Sequence, residues 1–146
     1  MLVSDVMTRK VRIARPDQTL QEVAQIMAEE SVGCLPVGEK DQLVGMITDR
    51  DIAVRAVAYA KAVDKTTVRD VMSREVKYCY DDDPISSVAA NMGDIQLHRL
   101  PVVNHDKRLV GIIAIADIAN YDGPEAAGEA ICGISNDTNF AQRPVT

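Results

Sequence analysis

The sequence predicts an α/β (α+β) fold of two pseudo-symmetric β-α-β-β-α repeats packed through their sheets into one module. Three observations lead there. Short blocks recur in the same order in both halves of the chain. Within each half, apolar residues switch between helix-like and strand-like spacing. Each half alone has too few elements to cover both sides of its own helices and strands, so the two should pack together. The blocks are explicit: "SDVM" at 4–7 returns as "RDVM" at 69–72, and "LPV" at 35–37 as "LPV" at 100–102. "LVG" at 43–45 returns at 109–111 and "DIA" at 51–53 at 117–119, after one inserted residue in the second copy. Ordered recurrence of this kind marks a tandem duplication.

Each element follows from its local pattern. The "DVM" turns lead into short extended segments, "VRIA" at 11–14 and "VKYC" at 76–79. Pro16 and Pro84 punctuate the entry to a helix. In the first copy Leu20, Val23, Ala24 and Met27 share one stripe of that helix. In the second copy Ile85, Val88, Ala89 and Met92 do the same. "CLPVG" and "RLPVV" read as short strands, "EKDQ" and "NHDKR" as turns, and "LVGMIT" and "LVGIIA" as buried strands. A second helix closes each copy. Met27 and Met92 fall at matched positions and are expected in the core.

The organisation is therefore repeat one over 1–60, a linker over 61–68, repeat two over 69–121 and an extension over 122–146. Pro124 stands where a helix can begin, and Ala127, Ala130, Ile131 and Ile134 share helical spacing. A short terminal helix docked on the body, or on a second subunit, is expected there. "SNDTNFAQRPVT" beyond it is expected to be loose.

Composition excludes several functions. At 146 residues the chain can bury about 68–70% of its unfolded surface, so it needs neither disulfide nor metal to fold. A net charge of −6 and a pI near 4.8 argue against nucleic-acid binding through a basic face. One phenylalanine and no tryptophan leave little for base stacking. No apolar run approaches a membrane span, and "MLVSDVMTRK" lacks the apolar core of a signal peptide, so a cytoplasmic protein without membrane contact is expected. Cys34, Cys79 and Cys132 are far apart with no CxxC spacing and read as reduced thiols. No GxSxG, GxxxxGK[ST] or HExxH occurs, and no nucleophile–base pair stands out, so catalysis is not expected.

Two copies, each with an opening "DVM", a central "LPV" and a closing glycine–apolar–apolar–x–x–x–aspartate, resemble a tandem pair of CBS domains, the Bateman module. The likeness covers about residues 1–120 and is similar to small stand-alone bacterial CBS-pair proteins of the hypoxic response protein type. The resemblance implies a regulatory, energy-sensing module that binds an adenine nucleotide, AMP or ATP or a related adenosyl ligand, in a cleft between repeats. It also implies a homodimer, an unknown protein effector and no required cofactor.

On that resemblance the threonine and last aspartate of "GMITDRD" contact the ribose; here they are Thr48 and Asp51. The chemistry suits them, because a carboxylate accepts charge-assisted hydrogen bonds from both hydroxyls of a diol. The helix that begins there also favours phosphate. Asp49 is the expected N-cap of that helix, with Asp51 inside its first turn. "HRLPVV" at 98–103 resembles the "HRLPV" of the gamma subunit of AMP-activated protein kinase, which implies that His98 and Arg99 reach the phosphate. Arg50 would add a cation and Val76 would line the adenine slot. In the mirrored place Asp117 matches Asp51, but Ala114 replaces the threonine and Gly33 and Cys34 replace the cations.

Plainer readings stand beside these. Thr48, Asp49 and Asp51 can serve purely as helix caps, and His98 and Arg99 can be a solvated edge or a surface ion pair. Asp81, Asp82 and Asp83, beside Cys79, permit a metal site, yet aspartates before Pro84 more often form a turn and helix cap. His105 is expected to be merely solvated. The competing function is a ligand-free structural or adaptor homodimer.

Overall fold

The computed structural model describes residues 1–95, 98–122 and 124–135. In chain order, the first half runs α1 (Val3–Val6), α2 (Leu20–Glu30), β1 (Cys34–Glu39), β2 (Gln42–Thr48) and α3 (Asp49–Arg55), followed by a 3₁₀ turn, Val57–Tyr59. The second half runs α4 (Val68–Val71), β3 (Cys79–Tyr80), α5 (Ile85–Ile95), β4 (Arg99–Val103), β5 (Leu109–Ala114), α6 (Ile115–Asp122) and α7 (Pro124–Ser135). Helix and strand mix as the repeat pattern predicts. The "SDVM" and "RDVM" turns are one-turn helices.

The chain folds as two compact units, and these units cross the boundaries of the sequence repeats. One holds Lys10–Lys77 with Asp106–Leu109; the other holds Met1–Arg9, Tyr78–His105 and the described residues from Val110 onward. The two opening segments are thus exchanged: α4 belongs with the body of repeat one, and α1 with that of repeat two.

In the first unit, β1 and β2 form an antiparallel pair in which Cys34 registers with Thr48 and Glu39 with Gln42. Lys40 and Asp41, between them, both have positive φ, at 53° and 64°, as a tight hairpin twisted to match its strands requires. The segment 11–14 forms no named strand; only Ala14 bridges, parallel, to Val37. The exchanged segment lies beside β2, where the Met46 and Ser73 amides donate to each other's carbonyls at 3.0 and 2.9 Å. A Cβ on Gly45 would stand 2.8 Å from the Ser73 carbonyl, which explains the glycine of "LVG". The second unit repeats the device: a Cβ on Gly111 would stand 2.7 Å from the Thr8 carbonyl. There β3, β4 and β5 form a three-stranded sheet in that order, with β3 parallel to β4.

Each unit has its own core. Leu20, Val23, Ile26, Met27, Leu35, Val37, Ile47, Val68 and Val71 fill the first, and Ile85, Val88, Met92, Leu100, Ile113 and Ile118, with Val3 and Val6, fill the second. Burying each large side chain contributes about 1.5–3 kcal/mol. The two methionines sit at matched core positions, as expected. Ala24, placed in the stripe by its spacing, is exposed, and Ile26 takes its place; the matched Ala89 is buried. The reason is α7. It seats against α5, with Gly133 so close to Gly93 that a Cβ would lie 2.6 Å from the Gly93 Cα. Among the described residues, no helix is seated along α2 in this way.

The terminal helix forms where Pro124 begins it and docks within its own unit, with Ile134 against the core and Ile131 46% exposed. The side chains of Ala127 and Ala130, and the segment 136–146 expected to be loose, lie outside the described residues.

Candidate functional site

The β2–α3 junction shows why a threonine and an aspartate stand three residues apart. A helix leaves its first amides without internal partners. Thr48 is the N-cap of α3, with extended backbone at φ −120° and ψ 160°. Its Oγ1 accepts from the Asp51 amide at 3.0 Å, and Asp51 Oδ2 accepts from the Thr48 amide at 3.0 Å. This reciprocal capping box corrects the expectation that Asp49 caps the helix. Asp49 is instead the first helical residue. Its amide donates to the Gly33 carbonyl at 2.9 Å and its carboxylate accepts from the Arg50 amide at 2.8 Å.

The Asp51 side chain is 13% exposed, so its carboxylate is largely but not wholly sheltered. Oδ2 is committed to the cap. Oδ1 faces Arg55 Nη1 at 3.9 Å, one helical turn on, and the same Nη1 donates to the Val71 carbonyl at 2.9 Å. A carboxylate has about four lone-pair positions, so acceptor capacity remains on Asp51. The Thr48 hydroxyl accepts in the cap and retains its own proton to donate. Arg50 is exposed and Val76 half-buried, both in the same unit as Thr48 and Asp51. Arg55 was not among the residues singled out by motif; its signal is the spacing of four from Asp51 on a helix, which places opposite charges side by side.

The matched junction in the second unit is the same device with one part missing. Asp117 Oδ2 accepts from the Ala114 amide at 2.8 Å, but Ala114 has no hydroxyl to return the bond. The Ile115 amide donates to the His98 carbonyl at 3.0 Å, as Asp49 does to Gly33. His98 and Arg99 are therefore exposed residues at the edge of β4, beside the start of α6 and in the same unit as Asp117. Gly33 and Cys34 hold the equivalent place in the first unit, beside Thr48 and Asp49.

The acidic run resolves into several roles. Asp83 Oδ2 accepts from the Tyr80 amide at 2.9 Å, the predicted turn. His105 is not merely solvated: its Nε2 lies 2.7 Å from Asp82 Oδ2, and its ring stacks on Tyr80 at 4.7 Å and 7°. The hydrogen bond to Asp82, and then the Asp82 charge, hold the imidazole above its ordinary pKa. Asp81, Asp82 and His105 offer ligand atoms within 4.8 Å of one another, but two of the three are exposed. Cys79 is buried, and burial, with the Asp83 charge, pushes its thiol up to about 12. A surface groove in the first unit, lined by Ile13, Arg15, Gly38, Lys40, Asp41 and Leu109, contains none of the predicted ligand residues. Its Arg15 and Asp41 are paired with Asp17 and Arg108 at 3.7 and 3.0 Å.

Comparison with known proteins fits this duplicated architecture. The CBS domain model matches twice, over residues 3–57 and 68–123. The CBS domain-containing protein YhcV of Bacillus subtilis is 40% identical over 135 residues, spanning 92% of this chain and 95% of its own. Hypoxic response protein 1 of Mycobacterium tuberculosis is 34% identical over 118 residues, 80% of this chain and 82% of its own. Among solved structures, the pair from protein MJ0100, in complex with 5′-methylthioadenosine and S-adenosyl-L-methionine, is 31% identical with a TM-score of 0.73. It covers 86% of this chain and 98% of that one.

Proposed function

The chain belongs to the CBS domain family and carries two of its domains in tandem; from that premise we propose that it is a regulatory, energy-sensing module for an adenine nucleotide or related adenosyl ligand. The observation that carries the reading is the Thr48–Asp51 box, which holds a partly sheltered carboxylate in a fixed orientation with acceptor capacity to spare. A ribose diol donates two hydroxyl protons, and an ionised carboxylate is a strong acceptor for them. That the related MJ0100 pair is solved with two adenosyl ligands supports the ligand class.

In this reading Thr48 and Asp51 grip the sugar, and Val76 lines the base. His98 and Arg99, with Arg50, meet the phosphate or another anionic end; Asp117, lacking the hydroxyl partner, is the weaker grip. The module is cytoplasmic, not catalytic, works as a homodimer and passes occupancy to a protein effector, with no cofactor required. Among the described residues no helix is long and apolar enough to cross a membrane.

The test is a thermal-shift screen with AMP, ADP, ATP, 5′-methylthioadenosine and S-adenosylmethionine. Ligand at one hundred times its dissociation constant adds about 2.7 kcal/mol of stability, a shift of several degrees. Asp51→Ala should abolish the shift, and Arg99→Ala should weaken AMP more than the phosphate-free 5′-methylthioadenosine. A shift lost in Asp117→Ala and kept in Asp51→Ala would move the ligand to the second acid. A flat screen would leave the ligand-free adaptor dimer as the function.

A further inference from the structure

Arg55 ties the ribose-gripping acid to the exchanged segment through a polar contact, beside the apolar packing of Ile52 with Val68 and Val71 in one core. Its guanidinium stands 3.9 Å from Asp51 Oδ1 and donates to the carbonyl of Val71, the last residue of α4, at 2.9 Å. That carbonyl is one a helix end leaves without an internal partner. The two oxygens of Asp51 thus meet different groups: Oδ2 accepts a hydrogen bond from the Thr48 amide within its own turn, and Oδ1 faces, at ion-pair distance, an arginine that reaches across to the exchanged segment. That segment is anchored elsewhere by the Val68 amide on the Gln18 carbonyl, the Arg69 amide on Pro16 and the Met46–Ser73 pair. It carries Val76 and runs directly into Tyr78, where the chain enters the other unit.

The second copy shows that the fold does not require this arrangement. The position matching Arg55 is Tyr121, 59% exposed, which offers Asp117 no cation. Helix α6 and its reach-back from Asp117 form without one. Arg55 is therefore a feature of the complete junction alone.

We propose that Arg55 is a positioning and coupling residue: it aims the Asp51 carboxylate at the ligand and transmits occupancy of that carboxylate to the 71–77 segment. The inference rests on the reading that Asp51 grips an adenosyl ligand. A ligand hydroxyl on Asp51 fixes the carboxylate, the fixed carboxylate holds the guanidinium, and the guanidinium holds the Val71 carbonyl. Occupancy then stiffens the strand of chain that leads into the other unit, which is how a local binding event acquires a remote effect.

Hydrogen exchange on the full chain, with and without saturating AMP or 5′-methylthioadenosine, tests this in wild type, Arg55→Ala and Arg55→Lys. In wild type, ligand should slow exchange at 48–52 and at 71–77 together. Arg55→Ala should bind on the order of tenfold more weakly, as expected for losing one charge-assisted contact. Brought back to saturation, it should keep protection at 48–52 and around Val76, which the base itself covers, and lose it at 71–74. Arg55→Lys should recover part of the affinity. Should Arg55→Ala not fold, Arg55→Gln keeps a polar, though shorter, side chain and removes the charge, and the same loss of spread is expected. Protection that still spreads to 71–74 in the charge-deleted variants overturns the coupling role and leaves ligand binding intact. No protection by either ligand in wild type overturns the binding reading itself, and the coupling with it.

Discussion

Thr48 and Asp51 each satisfy the other's backbone: the Asp51 amide donates to Thr48 Oγ1, and the Thr48 amide donates to Asp51 Oδ2, both at 3.0 Å. Asp117 and Ala114 make only the second of these bonds. Two copies of one junction, one with the capping hydroxyl and one without it, offer an internal comparison for what that hydroxyl contributes. Thr48→Ala should lower stability by about 1 kcal/mol, the ordinary cost of losing an N-cap side chain. Ala114→Thr should raise it by up to about 1 kcal/mol by completing the second box. Urea midpoints at constant slope measure both. An unmoved midpoint in Thr48→Ala would mean that the hydroxyl serves a ligand and not the helix.

Much of this was readable from residue order. The duplication gave the order of the main helices and strands in both halves, because matched apolar spacing recurs in them; the strand expected at 11–14 is a single bridge, and Ala24 lies off the buried face. The exchange of opening segments was not readable. "SDVM" and "RDVM" carry the same apolar residues, so either fits either body, and pattern alone cannot say which copy each one joins. The glycine of "LVG" was a trace of that packing, since it is where the exchanged backbone lies on the strand. The N-cap was misassigned to Asp49 because two aspartates and a threonine are all good caps; only the backbone geometry at residue 48 chooses among them. His105 was underestimated because its partners, Asp82 and Tyr80, lie 23 and 25 residues earlier in the chain, beyond any local pattern.

The His105–Asp82 pair gives a pH signature. The hydrogen bond to Asp82 and the Asp82 charge raise the imidazole pKa above 6.5; desolvation opposes them, and the charges of Asp81 and Asp83 add less. A group whose folded pKa is raised stabilises the fold fully below its unfolded pKa, and that contribution is lost as pH rises through the folded value. The pair therefore helps in mildly acidic solution and ceases to help above the shifted pKa. An NMR titration should show one of the two histidines titrating above 6.5, and Asp82→Asn should bring it down. A His105 titration indifferent to Asp82→Asn would break the assignment.

The three cysteines should separate by reactivity. Cys132 is exposed, Cys34 half-buried and Cys79 buried with its thiol pushed up to about 12. The thiolate is the reactive form, so Cys79 is protected twice, by burial and by protonation. A thiol-reactive dye at neutral pH should label Cys132 first and Cys34 more slowly. Cys79 should be labelled only as the protein opens. Labelling of Cys79 as fast as Cys132, followed by mass spectrometry of the peptides, would contradict the packing of β3.

Helix α7 carries two glycines whose replacement should act in opposite directions. At Gly133 a Cβ would meet the Gly93 Cα at 2.6 Å and its carbonyl carbon and oxygen at 2.8 Å. Those neighbours are backbone and cannot rotate away, so α5 and α7 must part. Gly133→Ala should cost about 1–3 kcal/mol, the range for forcing extra volume into a packed contact. At Gly128 nothing lies within 4 Å of the added carbon. There the alanine meets no obstacle and removes the entropy cost of glycine in a helix, so Gly128→Ala should gain about 0.5–1 kcal/mol. Equilibrium unfolding of the two variants, side by side, reads the sign directly. Equal effects would show that α7 does not rest on α5, and the broader buried face of α5, with Ala89 covered where Ala24 is not, would then need another cause.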